Sequence, residues 1–209
     1  MPLAKGWSMK NQFYSTKTAI VLVEFQKQRT EKGLFHWLIK NQLETRNVVE
    51  NTKRLVAESR KLGVRIIHAP LIVDPHNKKG WMAYPTFGKL FTKDSWKSDF
   101  VSGLYRDGDP VAKREYYNLQ AFDAFFESPL EKILNDLKIT NIFICGFATD
   151  QCPMKTLGTA KLKGFNPFLV SDCTATFNSF LQKNTERKLE KQAITSDDLI
   201  ESINIKNRQ

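Results

Sequence analysis

The sequence has few cysteines and no long apolar run, and each shortage excludes a class of protein. Its 209 residues include three cysteines, and no two of them form a CxxC pair. An odd, sparse set of this kind argues against a disulfide scaffold and favours free thiols in a reducing compartment. No apolar stretch approaches the roughly 18 to 20 residues that a membrane helix needs, and the first eighteen residues do not resemble a secretory signal. We therefore expect a cytoplasmic protein that does not span or bind a membrane.

Acidic residues are also scarce relative to basic ones. Thirty-two Lys and Arg face twenty-two Asp and Glu, which gives a net charge of +10 and a sequence pI near 9.5. Such a balance points to nucleic acid, an acidic surface or an anionic substrate as partner. The basic residues are spread along the chain with acids between them, rather than forming the stripe typical of nucleic-acid binding. We therefore expect a solvated basic surface, no nucleic-acid partner and a small-molecule substrate.

Short apolar runs alternate with stretches of helical periodicity, which is typical of a parallel sheet covered by helices. The predicted strands are 19–25, 64–69, 110–112, 142–145, 168–170 and 193–195. The predicted helices are 43–62, one capped by Ser128, one from Pro153 to about Lys163, and one capped at 196–198 that runs to Ile203. Residues 70–110 show no sustained period and are interpreted as loop with short helices. The fold class is α/β: a doubly wound, mostly parallel sheet flanked by helices on both faces, in a single domain at 18–209 after an N-terminal extension at 1–17.

Three polar residues lie where predicted strands end, which is where ligands bind in doubly wound folds. Glu24 falls inside the apolar run of the first strand, where a carboxylate needs a partner. Lys113 follows the third strand and offers the opposite charge. Cys152 follows the fourth strand and precedes Pro153, so it falls at a helix N-terminus, where a lowered thiol pKa is expected. A carboxylate, an ammonium and an activated thiol are the parts of a nucleophilic hydrolase.

Each of these residues also has an ordinary structural interpretation. A lone Glu in a strand is commonly an ion-paired structural group, and a lone Lys after a strand is commonly a solvated loop charge. A Cys in an α/β core is commonly a small inert hydrophobe, which is our interpretation of Cys145. Only the joint placement of the three groups at strand ends favours a catalytic function.

Four segments resemble the isochorismatase-like cysteine hydrolase superfamily, which includes nicotinamidases and related amidohydrolases. They are IVLVEFQ, GDPVAKR, ICGFATDQC and the run KTLGTAKLKGFNPFLVSDCTAT. The resemblance covers about residues 18–203 and is most specific from 142 to 176. Most members have Asp at the first catalytic position, where this sequence has Glu24, so the chain resembles a subgroup with Glu at that place.

The resemblance implies a three-layer αβα fold and hydrolysis of an amide-type C–N bond through a cysteine thioester. It assigns a catalytic triad to Glu24, Lys113 and Cys152, and an oxyanion hole to the backbone N–H groups of Ala148 and Cys152. It also implies a cis peptide bond between Phe147 and Ala148. A homo-oligomer, either dimer or tetramer, is expected because the superfamily commonly forms one.

The resemblance does not extend to a metal site, and we expect no metal and no other cofactor. The nicotinamidase-type motif of an acid with clustered histidines is absent. His36, His68 and His76 stand apart from one another without ligand spacing, and each is interpreted as a structural or solvated histidine.

Two other functions remain open from the sequence. The first is vinyl-ether cleavage of the isochorismate type, which proceeds without a nucleophilic cysteine and is therefore disfavoured by Cys152. The second is a non-catalytic basic binding protein of the same fold. Substrate specificity is expected in the 70–110 segment, whose aromatic residues Trp81, Tyr84, Phe87 and Trp96 are possible pocket walls.

Overall fold

A computed structural model describes residues 13–77, 87–189 and 191–204. The strands of this part of the chain are β1 Phe13–Tyr14, β2 Thr18–Val23, β3 Arg65–Ala69, β4 Leu71–Ile72, β5 Arg114–Glu115, β6 Asn141–Phe147, β7 Asn166–Ala175, β8 Ala193–Ile194 and β9 Ile203–Asn204. The helices are α1 Lys27–Thr30, α2 Leu34–Thr45, α3 Val48–Lys61, α4 Leu130–Asp136, α5 Cys152–Leu162, α6 Ser179–Lys188 and α7 Ser196–Ser202. Short 3-10 turns add Ser15–Lys17, Phe87–Leu90 and Leu119–Phe122.

The core of the fold is a five-stranded parallel sheet with the strand order β3-β2-β6-β7-β8. Strand β2 is an inner strand between β3 and β6, and its Val21 is paired with Ile67 on one side and Ile144 on the other. Chain order thus reverses at β2, with β3 on one flank and β6 to β8 on the other. The predicted doubly wound, mostly parallel sheet is confirmed.

Alternate residues of the strands pack on opposite faces of the sheet. On one face, Ile20 and Leu22 contact a cluster that includes residues of α2, α3 and α7. On the other face, Ala19, Val21 and Val23 contact a second cluster that includes residues of α4 and α5. Both faces are apolar because both are covered, which explains why the strands appear in the sequence as continuous rather than alternating apolar runs. The predicted three-layer arrangement is therefore present.

Some predicted elements have different bounds in the structure. The single helix predicted at 43–62 is two helices, α2 and α3, because Asn47 between them adopts a left-handed conformation with φ 53°. The strand predicted at 110–112 is reduced to one parallel bridge between His68 and Val111. The ladder then continues in β5, which is paired with β4 at Leu71 and Arg114. Helix α6 was not predicted.

The end of the predicted N-terminal extension is also part of the folded structure. Strand β1 lies within 1–17 and is parallel to β9, with Phe13 opposite Ile203. The Phe13 ring packs edge-on against Phe143 and Phe168 of the central sheet. Residues 13 and 14 are therefore paired with β9, and Phe13 packs against the central sheet. Across the described residues, none of the helices has the length and apolar character required to cross a membrane.

Candidate active site

Glu24 is the first residue after β2 and lies at the carboxyl edge of the sheet. Its backbone has a left-handed conformation, with φ 60°, and its N–H donates to the carbonyl oxygen of Ala69 at 3.2 Å. The side chain is fully buried. A buried carboxylate requires charged or hydrogen-bonding partners, and two arginines provide them.

The first partner, Arg29, is positioned by the loop that follows Glu24. The Gln26 side chain accepts from the Leu71 N–H at 3.0 Å and donates to the Leu71 carbonyl at 3.0 Å, which attaches this loop to β4. Helix α1 begins directly afterwards and places Nη2 of Arg29 in a buried ion pair with Oε2 of Glu24. The guanidinium also lies over the ring of Phe35, with 3.6 Å from Cζ to the ring centroid.

The second partner is Arg114, the first residue of β5. Its Nη2 donates to Oε1 of Glu24 at 2.5 Å. Its Nη1 donates to the carbonyl of Ala69 at 2.7 Å, and its Nε donates to the carbonyl of Ala121 at 2.7 Å. Three bonds in one plane hold this guanidinium rigidly against the end of β3 and the Glu24 carboxylate.

The structure does not bring Lys113 to this cluster. Its side chain is exposed, whereas Ala112, Arg114 and Tyr116 are buried. Successive side chains of an extended segment point to opposite sides, so Lys113 and Arg114 cannot both face the core. The predicted cation position is therefore corrected by one residue: the positive charge opposite Glu24 belongs to Arg114.

Cys152 is the first residue of α5 and is followed by Pro153. Only 2 % of its surface is exposed. Burial raises the pKa of the Cys152 thiol above its ordinary value, while Arg114, within hydrogen-bonding reach, and Arg29 act in the opposite direction. The prediction that a helix N-terminus lowers this pKa is corrected, because the cost of burying a thiolate outweighs the cations around it.

The turn between β6 and α5 carries the predicted oxyanion donors. The peptide bond between Phe147 and Ala148 is cis, at the position where the resemblance predicts one. The N–H of Cys152 is one of the first four of its helix, which have no acceptor within the helix. The turn is held from the side by Thr149, whose N–H donates to the carbonyl of Ala175 at 3.1 Å and whose hydroxyl lies 2.8 Å from Oε1 of Gln182.

The structure thus brings Glu24 and Cys152 together through two arginines that the sequence reasoning missed. Period-two alternation from Ala112 would have indicated Arg114, because residues 112, 114 and 116 share one face. The position of Arg29 depends on how the loop after β2 folds back against the carboxylate, and the sequence carries no periodic signal for it.

The histidines do not form a metal site. Within the described ranges, no three His, Cys, Asp or Glu side chains are close enough together to hold a metal ion. His68 is buried, its Nε2 lies 3.3 Å from Oδ2 of Asp109, and burial lowers its pKa. His36 Nδ1 lies 3.3 Å from the carbonyl oxygen of Arg29, and the N–H of His76 donates to Asp74. His68 and His36 thus have local side-chain contacts, whereas His76 is exposed and its bond to Asp74 is made by the backbone.

The other cysteines and the predicted aromatic walls either make other contacts or lie outside the described residues. Cys145 is fully buried next to Cys173, and burial raises the pKa of its thiol well above the ordinary value. Trp96 is partly exposed beneath the ammonium of Lys32, with 4.8 Å from Nζ to the ring centroid. Trp81, Tyr84 and the side chain of Phe87 lie outside the described residues.

Comparison with known proteins gives a consistent result. The family model named Isochorismatase domain matches residues 18–198. Nicotinamidase 3 of Arabidopsis thaliana is 30% identical over 121 residues, which are 56% of this chain and 60% of that protein. Ureidoacrylate amidohydrolase RutB of Klebsiella pneumoniae is 25% identical over 181 residues, which are 78% of this chain and 75% of that protein. The chain therefore spans less than two thirds of the first relative's length and three quarters of the second's.

Among solved structures, a cysteine hydrolase from Pseudomonas syringae pv. phaseolicola is similar throughout. The two share a TM-score of 0.79 and 18% sequence identity, with 97% of each chain covered. At this level of identity the likeness establishes the fold.

Proposed function

The chain belongs to the Isochorismatase domain family, and from that premise we propose that it is a cysteine hydrolase acting on an amide-type C–N bond of a small molecule. The observation that carries the proposal is the buried cluster around Cys152. A thiol at a helix N-terminus faces two arginines, and the same arginines hold the carboxylate of Glu24. The amide-hydrolysing activities named for the two relatives support the reaction class.

The nucleophile in this proposal is Cys152, and Glu24 is the group that moves its proton. Each carboxylate oxygen accepts one arginine hydrogen bond and retains a second lone pair, so Glu24 keeps the capacity to accept from the thiol. Because the pKa of Cys152 is raised by burial, the resting enzyme holds a neutral thiol at pH 7. The thiolate then forms as the proton passes to Glu24 during attack.

The proposed reaction has two steps. Sγ of Cys152 bonds to the carbonyl carbon as its proton passes to Glu24, and the C–N bond then breaks as Glu24 returns the proton to the leaving nitrogen. A thioester remains. Water next gives a proton to Glu24 and bonds through oxygen to the thioester carbon, the C–S bond breaks, and the proton returns to sulfur to restore the thiol. The carboxylic acid and the amine are the products.

Charge that develops during the reaction needs fixed donors. The backbone N–H groups of Ala148 and Cys152 are the proposed donors to the tetrahedral oxyanion. Arg114 is the proposed electrostatic partner of the thiolate, in the role that the sequence assigned to Lys113. Its three hydrogen bonds to Glu24, Ala69 and Ala121 fix the charge before reaction, so no reorganisation is needed when the thiolate forms.

The test is an ammonia-release screen over a panel of small primary amides, followed by two matched serine variants. Cys152→Ser should reduce kcat/KM on any active amide by roughly a thousandfold or more, because a serine hydroxyl at this site lacks the acidity of a thiol. Cys145→Ser removes a buried thiol elsewhere and should retain turnover. Glu24→Gln should lose roughly a hundredfold or more.

Mass spectrometry of acid-quenched wild-type reactions should show the acyl group on Cys152. Unchanged turnover in Cys152→Ser, or an acyl adduct on Cys145 or Cys173 instead, would refute the proposed nucleophile.

A further inference from the structure

Arg29 has more hydrogen-bonding capacity than its surroundings use. Its side chain is 2 % exposed, and Nη2 donates to Glu24. Its Nε and Nη1 are buried, and neither has a hydrogen-bond partner within the part of the chain that the structure describes. Buried donors without partners are costly, and more so when they carry charge. Two such donors on one guanidinium therefore mark Arg29 as a group suited to bind an acceptor from a ligand.

Arg114 provides an internal comparison. Both arginines are buried and both bind Glu24, but every nitrogen of Arg114 donates to a protein oxygen. Each nitrogen of Arg114 thus has at least one partner, and three of its five N–H groups bind protein oxygens. Of the two guanidiniums, only that of Arg29 has nitrogens with no partner among the described residues, so a ligand is expected at Arg29 first.

The guanidinium of Arg29 is held in a defined plane. Its Cζ lies 3.6 Å from the centroid of Phe35 and 4.9 Å from that of Phe91, so aromatic rings stabilise the charge through its face. Nη2 carries a second N–H besides the one that binds Glu24. That N–H and an N–H of the unpartnered nitrogen on the same side of the guanidinium form a planar pair of donors, which is the arrangement that a carboxylate binds with both oxygens.

The charges around the nucleophile also favour a negatively charged ligand. Arg29 and Arg114 carry two positive charges, Glu24 carries one negative charge, and a neutral Cys152 thiol adds none. With the thiol neutral, the four buried groups have a net charge of +1, and a buried excess charge is destabilising unless a bound anion or the Cys152 thiolate neutralises it. Burial lowers the pKa of Arg29 to about 9, so the guanidinium is still charged at neutral pH.

We propose that Arg29 is the specificity-determining residue of the site and binds a carboxylate on the substrate, so that the preferred substrates are small amides that carry a carboxylate close to the scissile carbonyl. This inference rests on the proposed hydrolase function in one respect, because the bound carboxylate is a substrate only if the protein hydrolyses it. The binding of a small carboxylate next to Cys152 does not depend on it. Arg29 and Arg114 bind the same carboxylate of Glu24, and both arginines act electrostatically on Cys152, so an anion bound by Arg29 would lie in the same cluster as the nucleophile.

The binding test uses the Cys152→Ser protein, in which no acyl enzyme can form by thiol attack. Calorimetry would compare succinamate, malonamate and oxamate with their neutral counterparts butyramide, propionamide and acetamide. We expect at least one carboxylate to bind about 10- to 100-fold more tightly than its neutral counterpart, the range for hydrogen bonds to a charged group. Arg29→Gln in the same background should remove that preference.

Two further variants distinguish a specific contact with Arg29 from the attraction that any nearby cation would exert on the carboxylate. Lys155→Gln removes a different cation that acts on Cys152 through space, and it should retain the preference for the carboxylate. Arg29→Lys keeps the charge and the pair with Glu24 but loses the planar donor pair, and it should retain only part of the preference. Arg29→Lys also serves if Arg29→Gln does not fold.

The outcomes distinguish this inference from the proposed function. A carboxylate preference that depends on Arg29 supports the inference even where no member of the series is hydrolysed, a result that would count against the hydrolase. Conversely, turnover of neutral amides with kcat/KM equal to that of the carboxylates would support the hydrolase and overturn the role of Arg29. Equal binding of every pair, or an equal loss in Lys155→Gln and Arg29→Gln, would also overturn it.

Discussion

At the scale of single residues, the central feature is a buried carboxylate between two buried guanidiniums. Glu24 has no exposed surface, and its two oxygens bind Arg29 and Arg114. Burying ions costs several kcal/mol each before their attraction is counted, so hydrophobic residues of similar size would commonly be at least as stabilising here. The cluster is better explained by chemistry at Cys152 than by stability.

The assignment of the cation to Arg114 instead of Lys113 can be tested by making the same substitution at each of these two adjacent residues. Arg114→Met leaves Glu24 buried with one cation instead of two, and breaking a buried pair in this way costs about 3–5 kcal/mol of unfolding free energy. The same substitution should reduce kcat/KM by roughly a hundredfold or more, since the thiolate loses a cation within hydrogen-bonding reach. Urea unfolding and ammonia release on an active amide measure the two effects.

The control is Lys113→Met, which makes the same substitution on the exposed neighbour. It should change the unfolding free energy by less than about 0.5 kcal/mol and leave turnover near that of the wild type. Loss of activity in Lys113→Met with normal activity in Arg114→Met would restore the original assignment from the sequence.

Residues that break a local sequence pattern could be predicted, whereas residues placed by tertiary contacts could not. Glu24 and Cys152 stand out in the sequence because each breaks a local pattern, a carboxylate in an apolar run and a thiol directly before a proline. Arg114 lies in a two-residue strand, which is too short to show an alternating pattern by itself. The alternation is visible only when Ala112 and Tyr116 are considered with it. Arg29 reaches Glu24 because of the left-handed backbone at Glu24 and the Gln26 contact with Leu71, which are tertiary features without a sequence signature.

At the scale of elements, the site depends on how closely β2 and β6 approach at their carboxyl ends. Val23 and Gly146 are paired across these strands, and Gly146 has φ 133°. A Cβ on Gly146 would overlap the carbonyl group of Val23. Glycine is therefore required here for both conformation and space, immediately before Glu24 on one strand and the turn to Cys152 on the other.

Gly146→Ala should consequently destabilise the protein and disturb the site together. The positive φ alone costs about 1–3 kcal/mol for a residue with a Cβ, and the overlap with Val23 adds to it. Thermal unfolding should show a lower Tm, and turnover should fall even at temperatures where the variant is folded, because the end of β2 must shift.

Gly158→Ala is the matched control within α5. A Cβ there has no heavy atom within 4 Å, and replacing a helical glycine by alanine typically stabilises by about 0.5–1 kcal/mol. Its Tm should rise slightly and its activity should persist. A similar Tm for both variants would show that the contact between Val23 and Gly146 is not tight.

The predicted elements differ from the observed ones for identifiable reasons. The five strands of the central sheet were predictable because continuous apolar runs arise when both faces are covered. Helix α6 was not, because only Gln182 and Thr185 on it are buried, so it lacks an apolar face. The break at Asn47 was not predicted either, since apolar residues continue at helical spacing on both sides of it and only its backbone conformation marks the turn.

At the scale of the whole molecule, the excess of positive charge is present both on the surface and in the candidate site. The net charge is +10, and one unit of net positive charge is buried beside Cys152 when the thiol is neutral. Composition raised an anionic substrate as one of several partners without indicating where it would bind. The proposed role of Arg29 would give that anion a place, as a small carboxylate rather than a polyanion.

A net positive protein should attract an anionic substrate over a distance that salt controls. The Debye length falls from about 30 Å at 0.01 M ionic strength to about 8 Å at 0.15 M. If the substrate is a carboxylate, kcat/KM should therefore fall several-fold across this range, mainly through slower association. A neutral amide measured with the same enzyme should change by less than about twofold, because no charge is being steered. Parallel declines for both substrates would indicate a general effect of salt on the enzyme, and a flat response for the carboxylate would show that the +10 is distributed without regard to the site.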